Sequence, residues 1–151
     1  MDIIKDDLKG SQIKALLQEH LDDMYATSPA ESVHALDIEA LRQSNIEFWT
    51  AWRGEDLLGC IALKALDAKH AEIKSMRTSH QARGKGVAKS LLAHLEKKAE
   101  QHGYARLSLE TGTEDYFSAA RALYLSHGFV ECEPFADYVL DPNSTFMTKT
   151  L

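Results

Sequence analysis

Residues 83–88 read Arg83-Gly84-Lys85-Gly86-Val87-Ala88, a glycine-rich turn between a strand-like run and a helix-like run. The two glycines allow backbone N–H groups to approach a ligand with no Cβ in the way. A helix N-terminus carries unpaired donors and a partial positive charge, which suit a phosphate group. Arg83 and Lys85 add formal positive charge. The hexapeptide indicates either an anion site or a tight turn with a basic edge, because short glycine motifs recur by chance.

The runs on either side of this turn predict a strand, a helix and a second strand. Residues 71–78 form an apolar strand-like segment, and residues 84–102 repeat apolar residues at helical spacing. Residues 106–110 alternate leucine with polar residues, as a strand does. A strand, a helix and a strand in this length predict two parallel strands joined by a right-handed crossover.

The remaining segments complete a mixed α/β sheet with helices on both faces, in one domain over residues 1–151. Short turns link residues 46–53, 57–66 and 71–78 into an antiparallel meander. The N-terminal part adds an edge strand at residues 2–5, a helix at 11–27 with Ser11 as its N-cap, and a short helix at 37–43. The C-terminal part adds a helix at residues 117–127 and an antiparallel pair at 129–133 and 145–150.

Composition narrows the class of protein. The chain has 151 residues, 44% hydrophobic and 26% charged, which is typical of a folded globular protein. Its net charge of -6 disfavours nucleic acid and anionic membranes as partners. No apolar run approaches the roughly 20 residues that span a bilayer, and the N-terminus lacks a signal-peptide core. Cys60, Cys132 and the scattered histidines form no metal-binding spacing, so we expect no metal site and a cytoplasmic location.

Two families of nucleotide-binding proteins fit the turn poorly. A Walker A loop needs Gly-Lys-Ser/Thr, whereas this chain reads Gly84-Lys85-Gly86, which disfavours a phosphoryl-transfer enzyme. A Rossmann fingerprint belongs in the first βα unit of its domain, but here the turn follows three strands of a meander.

Two motifs together resemble the GCN5-related N-acetyltransferase (GNAT) superfamily. Its acetyl-CoA motif, Arg/Gln-x-x-Gly-x-Gly/Ala, is matched by Arg83, Gly84-Lys85, Gly86, Val87 and Ala88. A second pattern, Ala-x-x-Leu-Tyr-x-x-x-Gly-Phe, is matched by Ala120, Leu123, Tyr124, Gly128 and Phe129. Their order and separation are also typical, and the resemblance covers essentially the whole chain. Three further segments, residues 72–76, 109–112 and 144–149, resemble a subgroup of small bacterial acetyltransferases.

The resemblance implies a GNAT-like fold in which the strands carrying Met76 and Glu110 splay apart, with the thioester of acetyl-CoA in the gap. A backbone N–H near Met76 would polarise the thioester carbonyl. The family's asparagine, seven residues before the tyrosine, is replaced here by Phe117. The cofactor-binding residues implied for the pantetheine arm and the pyrophosphate are Met76, Thr78, Arg83, Gly84, Lys85, Gly86, Val87 and Ala88.

Direct acetyl transfer requires a neutral amine, and at a lysine-like pKa of about 10.4 only roughly one amine in two thousand is neutral at pH 7. A base is therefore needed. Glu72 is the first candidate, since it lies six residues before Thr78, where some family members carry a basic glutamate. Glu110 is the second candidate and His34 the third. Tyr124 matches the family tyrosine that protonates the leaving thiolate.

Each of these side chains also has a structural interpretation. An exposed Glu72 would pair with Lys74 or Lys64, and Glu110 would bond the turn that follows it. His34 would cap loop backbone, and Tyr124 would serve only in packing. Tyr138, in the late loop, either lines the acceptor pocket or anchors the loop.

The sequence thus predicts an enzyme that moves acetyl from acetyl-CoA to the primary amine of a small molecule. The loops at residues 31–45 and 134–144 would shape the acceptor pocket. A protein N-terminus or a lysine side chain is the alternative acceptor, and a non-catalytic acyl-CoA-binding module is the alternative from another class. An exposed edge strand at either end of the sheet would allow a homodimer.

Overall fold

The computed structural model describes residues 1–151. The strands are β1 (Asp2–Lys5), β2 (Ile46–Arg53), β3 (Asp56–Ala65), β4 (His70–Thr78), β5 (Arg106–Gly112), β6 (Val130–Glu131) and β7 (Ser144–Thr150). The α-helices are α1 (Ser11–Thr27), α2 (Ile38–Leu41), α3 (Val87–Gln101) and α4 (Ser118–Ser126). Single turns of 3-10 helix cover Ala30–Ser32, His80–Ala82 and Asp115–Phe117. No helix is long and apolar enough to cross a membrane.

The sheet has seven strands in the order β1-β2-β3-β4-β5-β7-β6. The first four strands form the expected antiparallel meander, and β5, β7 and β6 form an antiparallel group at the other side. Strand β4 runs parallel to β5, and α3 connects the two. The mixed α/β fold with one central parallel pair is therefore confirmed.

The parallel pair separates soon after it begins. Strands β4 and β5 pair only at His70 with Arg106, Ala71 with Leu107 and Glu72 with Ser108. Beyond that point β5 remains paired with β7 as far as Gly112 with Ser144, but it no longer pairs with β4. The sheet is consequently split at the carboxyl ends of β4 and β5, as the resemblance implied.

A β-bulge in β4 lies at the beginning of this split. Cys60 of β3 is opposite Arg77 and Ala62 is opposite Lys74, so β4 has one residue more than β3 in this interval. Ser75 has a φ of 53°, which is rare outside glycine, and its carbonyl accepts a bond from the Cys60 thiol at 3.2 Å. The bulge therefore bends β4 away from β5 where the two strands part.

The core is divided between the two faces of the sheet. One buried cluster joins α3 and α4 to the sheet and contains Leu91, Leu95, Leu107, Tyr124 and Phe129 among others. A smaller cluster joins α1 and α2 to the opposite face and contains the buried side chains of Leu8, Ile13, Leu16, Leu17, Leu41, Phe48, Cys60 and Ala62. Helices thus cover both faces, as the apolar periodicity predicted.

Some helix ends differ from their predicted positions. Gly10, not Ser11, is the N-cap of α1, and it makes no side-chain capping bond. Asp37 caps the short helix α2 by accepting the Ala40 N–H at 2.9 Å. Helix α3 begins at Val87 rather than at residue 84. The reason is that Gly84 and Gly86 have φ values of 77° and 79°, a left-handed conformation that cannot continue a right-handed helix.

Candidate active site

A cleft of about 470 Å³ opens beside the N-terminus of α3, between β4 and α4. Its polar wall is formed by Arg77, Thr78, Arg83 and the start of α3. Its apolar wall is formed by the α4 residues Ala119, Ala120 and Leu123. All of the residues predicted to bind cofactor line this cleft except Lys85, which lines a neighbouring pocket.

The turn at the end of this cleft presents a series of free backbone donors. The N–H groups of residues 83–89 have no acceptor in the hydrogen-bond network of the loops and helix ends. A Cβ at Gly84 or Gly86 would meet no atom within 4 Å, so the space in front of both residues is open. Successive free N–H groups at a helix N-terminus form an anion site, and the residues present therefore fit a diphosphate group.

Arg77 fastens α1 to the side of the cleft. Its Nη2 donates to carboxylates of Glu19 and Asp23, each at 2.6 Å, and its Nη1 donates to the Tyr116 hydroxyl at 2.8 Å. His80 joins Glu19 and Asp23 in a group whose ligand atoms lie within 4.8 Å of one another, a spacing that a metal ion would tolerate. The guanidinium donates to both carboxylates and offsets part of their negative charge, so we interpret the group as an ion-pair network.

A second, smaller cavity of about 100 Å³ occupies the split between β4 and β5. It continues from the larger cleft, because five residues line both: His20, Met24, Met76, Phe117 and Ala120. The other side chains around it are His34, Ala35, Glu72, Ile73, Lys74, Ser75, Glu110, Thr111 and Tyr124. The structure thus brings together the predicted residues Glu72, Glu110, His34, Met76 and Tyr124 around one small space.

Glu110 is the carboxylate whose chemistry is most altered by this cavity. Burial raises its pKa from 4.5 to about 7, and the nearby charges of Glu72 and Asp141 act in the same direction. The nearby Ser144 hydroxyl and the charge of Lys74 oppose the shift. The carboxyl group therefore changes charge near neutral pH, which is the range in which a base can both accept and release a proton.

Tyr124 lies across the cavity on α4, where its side chain is buried. Its hydroxyl donates to the Met76 sulfur at 3.8 Å, and its ring packs against Phe129 with centroids 5.7 Å apart. Burial, followed by the charge of Glu110, raises the pKa of this phenol. The hydroxyl is consequently protonated at physiological pH and able to donate.

Glu72, the first base candidate, is held by two other side chains. Its carboxylate accepts the Tyr138 hydroxyl at 2.6 Å and the Lys74 ammonium at 3.4 Å. Lys74 also donates to the Tyr138 hydroxyl at 2.9 Å, and its Nζ lies 5.6 Å from the centre of the Tyr138 ring. Only 2% of Glu72 is exposed. The three side chains form one hydrogen-bonded group.

Two loops meet above the cavity. Ser32 donates to the Asp141 carboxylate at 2.6 Å, which joins the segment after α1 to the segment before β7. His34 packs edge-on against the ring of Tyr138 with centroids 5.0 Å apart, and burial lowers its pKa. His34 and Tyr138 therefore contact each other, although they are far apart in the sequence.

Sequence reasoning missed His20, which lies where the two cavities join. Its Nδ1 atom is buried without a hydrogen-bond partner, and burial lowers its pKa to about 4, so the ring is neutral at physiological pH. In the sequence it falls among apolar residues on one face of α1. A titratable residue on an otherwise apolar face was the available signal.

Comparison with known proteins agrees with this geometry. The model of the acetyltransferase (GNAT) family matches residues 13–129. The uncharacterized N-acetyltransferase YsnE of Bacillus subtilis is 58% identical over 151 residues, which is 100% of each chain. The uncharacterized N-acetyltransferase YedL of Escherichia coli is 50% identical over 97% of this chain and 92% of its own. An IAA acetyltransferase of Azospirillum brasilense is 39% identical over 89% of this chain and 86% of its own.

Solved structures show the same architecture. A Klebsiella pneumoniae protein described as an acyl-CoA N-acyltransferase superposes with a TM-score of 0.79 at 29% identity, covering 99% of this chain and 97% of that one. A Bacillus subtilis acetyltransferase in complex with CoA superposes with a TM-score of 0.73 at 19% identity, with the same coverage. The fold, the split sheet and the free donors at α3 are those of an acyl-CoA-dependent transferase. The chain belongs to the GNAT family and is an N-acetyltransferase.

Proposed function

We propose that this single domain, residues 1–151, transfers the acetyl group of acetyl-CoA to the primary amine of a small molecule by direct attack. The observation that supports this most strongly is the joining of two spaces at the split in the sheet. One is a long cleft that ends at free backbone donors, and the other is a small cavity lined by titratable groups.

Acetyl-CoA supplies an activated thioester, and the residues of the larger cleft suit the rest of the molecule. The N–H groups of residues 83–88 would bind the pyrophosphate, and Arg83 adds positive charge beside them. The backbone of Met76 and Thr78, where β4 is no longer paired with β5, is available to the pantetheine arm. A matching complex with CoA is known for the Bacillus subtilis structure of the same fold.

We assign proton acceptance to Glu110 rather than to Glu72. An amine cannot attack while it is an ammonium, so a group in the cavity must take a proton. The pKa of Glu110, raised by burial to about 7, suits that exchange. The Glu72 carboxylate already accepts from Tyr138 and Lys74 at Oε2, and protonating it would weaken the ion pair with Lys74.

We assign stabilisation of the leaving thiolate to Tyr124. Its hydroxyl has only a weak partner, the Met76 sulfur at 3.8 Å, and it can turn to a stronger acceptor at little cost. Because burial raises its pKa, the phenol keeps its proton until a thiolate, a better acceptor than thioether sulfur, is beside it.

A small acceptor is favoured over a protein because of the loops above the cavity. The Ser32–Asp141 bond and the contact of His34 with Tyr138 close the acceptor side. The remaining volume of about 100 Å³ admits only a small group.

A cytoplasmic location agrees with the reduced cysteines Cys60 and Cys132.

Release of free thiol from acetyl-CoA, measured against a panel of amines, tests this proposal. We expect turnover that falls by at least about a hundredfold in Glu110→Gln and far less in Glu72→Gln. Protection of the protein by CoA in a thermal-shift assay, together with no thiol release on any amine, would instead identify an acyl-CoA-binding module.

A further inference from the structure

A buried lysine in the wall of the small cavity takes no part in the proton transfers described above. Only 8% of the Lys74 side chain is exposed. Its ammonium has three N–H groups. Two of them have partners, the Tyr138 hydroxyl at 2.9 Å and the Glu72 carboxylate at the longer distance of 3.4 Å. One N–H therefore remains for a third partner, and the Lys74 side chain lines the small cavity.

The ion pair of Lys74 with Glu72 is an expensive structural element. Removing two charges from water costs several kcal/mol per ion, and hydrophobic residues of similar volume often serve stability equally well. Such a pair in the wall of a ligand cavity is better explained by recognition of a charged group than by stability.

The cavity presents charges of both signs. Glu110 provides a carboxyl group on the β5 side, and Lys74, paired with the Glu72 carboxylate, provides an ammonium on the β4 side. An acceptor with an amine as its one polar group would contact Glu110 through that amine. The third N–H of Lys74 would then lie against the apolar part of the ligand without a hydrogen-bond partner, which is unfavourable. An acceptor with an amine and a carboxylate would satisfy both walls.

The volume agrees with such a head group. The small cavity, at about 100 Å³, is well below the roughly 300–1,000 Å³ of a pocket for a drug-sized ligand, so it admits only a compact group. An amino group and a carboxylate separated by one or two carbons fit that space. A polypeptide N-terminus and a lysine side chain bring no carboxylate to this position.

We infer that the acceptor is a small zwitterionic amine, an α-amino acid or a close analogue, whose carboxylate is bound by Lys74 while its amine faces Glu110. This inference rests on the proposed function and adds the class of its substrate. Lys74 is then a specificity-determining residue, and Tyr138 and Glu72 hold its ammonium in place.

Matched pairs of acceptors test the inference. Each of the common L-amino acids and its carboxamide is offered with acetyl-CoA, and thiol release and the mass of the N-acetyl product are measured. We expect at least one amino acid to exceed its carboxamide about tenfold or more in kcat/KM, as a charge-assisted hydrogen bond implies. The amide amine is less basic and more often neutral, so chemistry alone would give the opposite order.

Variants of Lys74 locate the effect. Lys74→Met should lower kcat/KM for the acid about tenfold and change it little for the amide, whereas Lys74→Arg keeps a cation and should keep the preference. If Lys74→Met does not fold, the ratio of kcat/KM for the acid to kcat/KM for the amide in the wild type and in Lys74→Arg still tests the inference. Amides acetylated as fast as acids overturn this inference and leave the proposed function standing. No transfer to any amine overturns both.

Discussion

Replacing Glu110 by Gln should change the stability of the protein in a pH-dependent way. The free energy of unfolding of the variant minus that of the wild type should be larger at alkaline pH than at acidic pH. Burial raises the pKa of this carboxyl from 4.5 to about 7 in the folded protein. Below pH 4.5 the group is protonated in both folded and unfolded states, and it imposes no ionisation cost. As the pH rises toward 7, the unfolded chain releases its proton first, so the wild type loses stability.

The size of the effect follows from the same values. The difference between 4.5 and about 7, at 1.36 kcal/mol per pH unit, corresponds to about 3 kcal/mol. The free energy of unfolding of Glu110→Gln minus that of the wild type should therefore rise by about 3 kcal/mol between pH 4.5 and pH 8.5. Most of the change should fall between pH 5 and pH 7.

Denaturation in urea at several pH values measures this difference. Glu100→Gln is the matched control, because Glu100 is exposed on α3 and its replacement should give a difference that hardly changes with pH. A flat difference for Glu110→Gln would refute the reasoning, since it would mean that the Glu110 carboxyl is not desolvated by the fold. The pH profile of the wild-type kcat/KM should change slope near pH 7, and the variant should lack that change of slope.

Substitutions at Tyr124, Gly86 and Tyr138 test other parts of the site. Tyr124→Phe should lower kcat at least about tenfold with little change in KM for acetyl-CoA, and equal turnover would reduce Tyr124 to a packing residue. Gly86→Ala and its control Gly54→Ala both place a methyl group at positive φ in open space, and each should lower the free energy of unfolding by about 1–2 kcal/mol. Calorimetry should show weaker CoA binding for Gly86→Ala only. Gly86→Asp should abolish CoA binding, and undiminished affinity would contradict the phosphate site. Tyr138→Phe removes the 2.6 Å donor to Glu72 and should destabilise the protein by about 1.5–3 kcal/mol in chemical denaturation; no change would indicate that water replaces the hydroxyl.

Local sequence patterns were sufficient for the fold and for the glycine turn at the end of the larger cleft. The glycines of residues 83–88 determine their own left-handed backbone, and the apolar repeat of α3 determines which face is buried. Both features depend on residues close together in the chain. For this reason the turn, the crossover helix and the position of Tyr124 were all predictable.

The acceptor side depends on contacts between distant residues and was predicted less completely. Glu72 and Tyr138 were each singled out, but their bond joins residues 66 positions apart and depends on how the late loop folds back. The sequence indicates Lys74 only as a surface partner of Glu72, and it indicates His20 only as part of an apolar helix face. No local pattern in the sequence shows that both side chains line one cavity.

The extra residue at Ser75 changes which face of the sheet each later side chain of β4 meets. Before it, Ala71 and Ile73 pack toward α3, while Arg77, after it, reaches α1 and Met76 packs toward the α3 cluster. The odd-numbered side chains thus face α3 before Ser75, and the even-numbered Met76 faces α3 after it. A single strand can then furnish Lys74 to the small cavity alone and Thr78 to the larger cleft alone. Deleting one residue at this point would move every later side chain of β4 to the opposite face of the sheet.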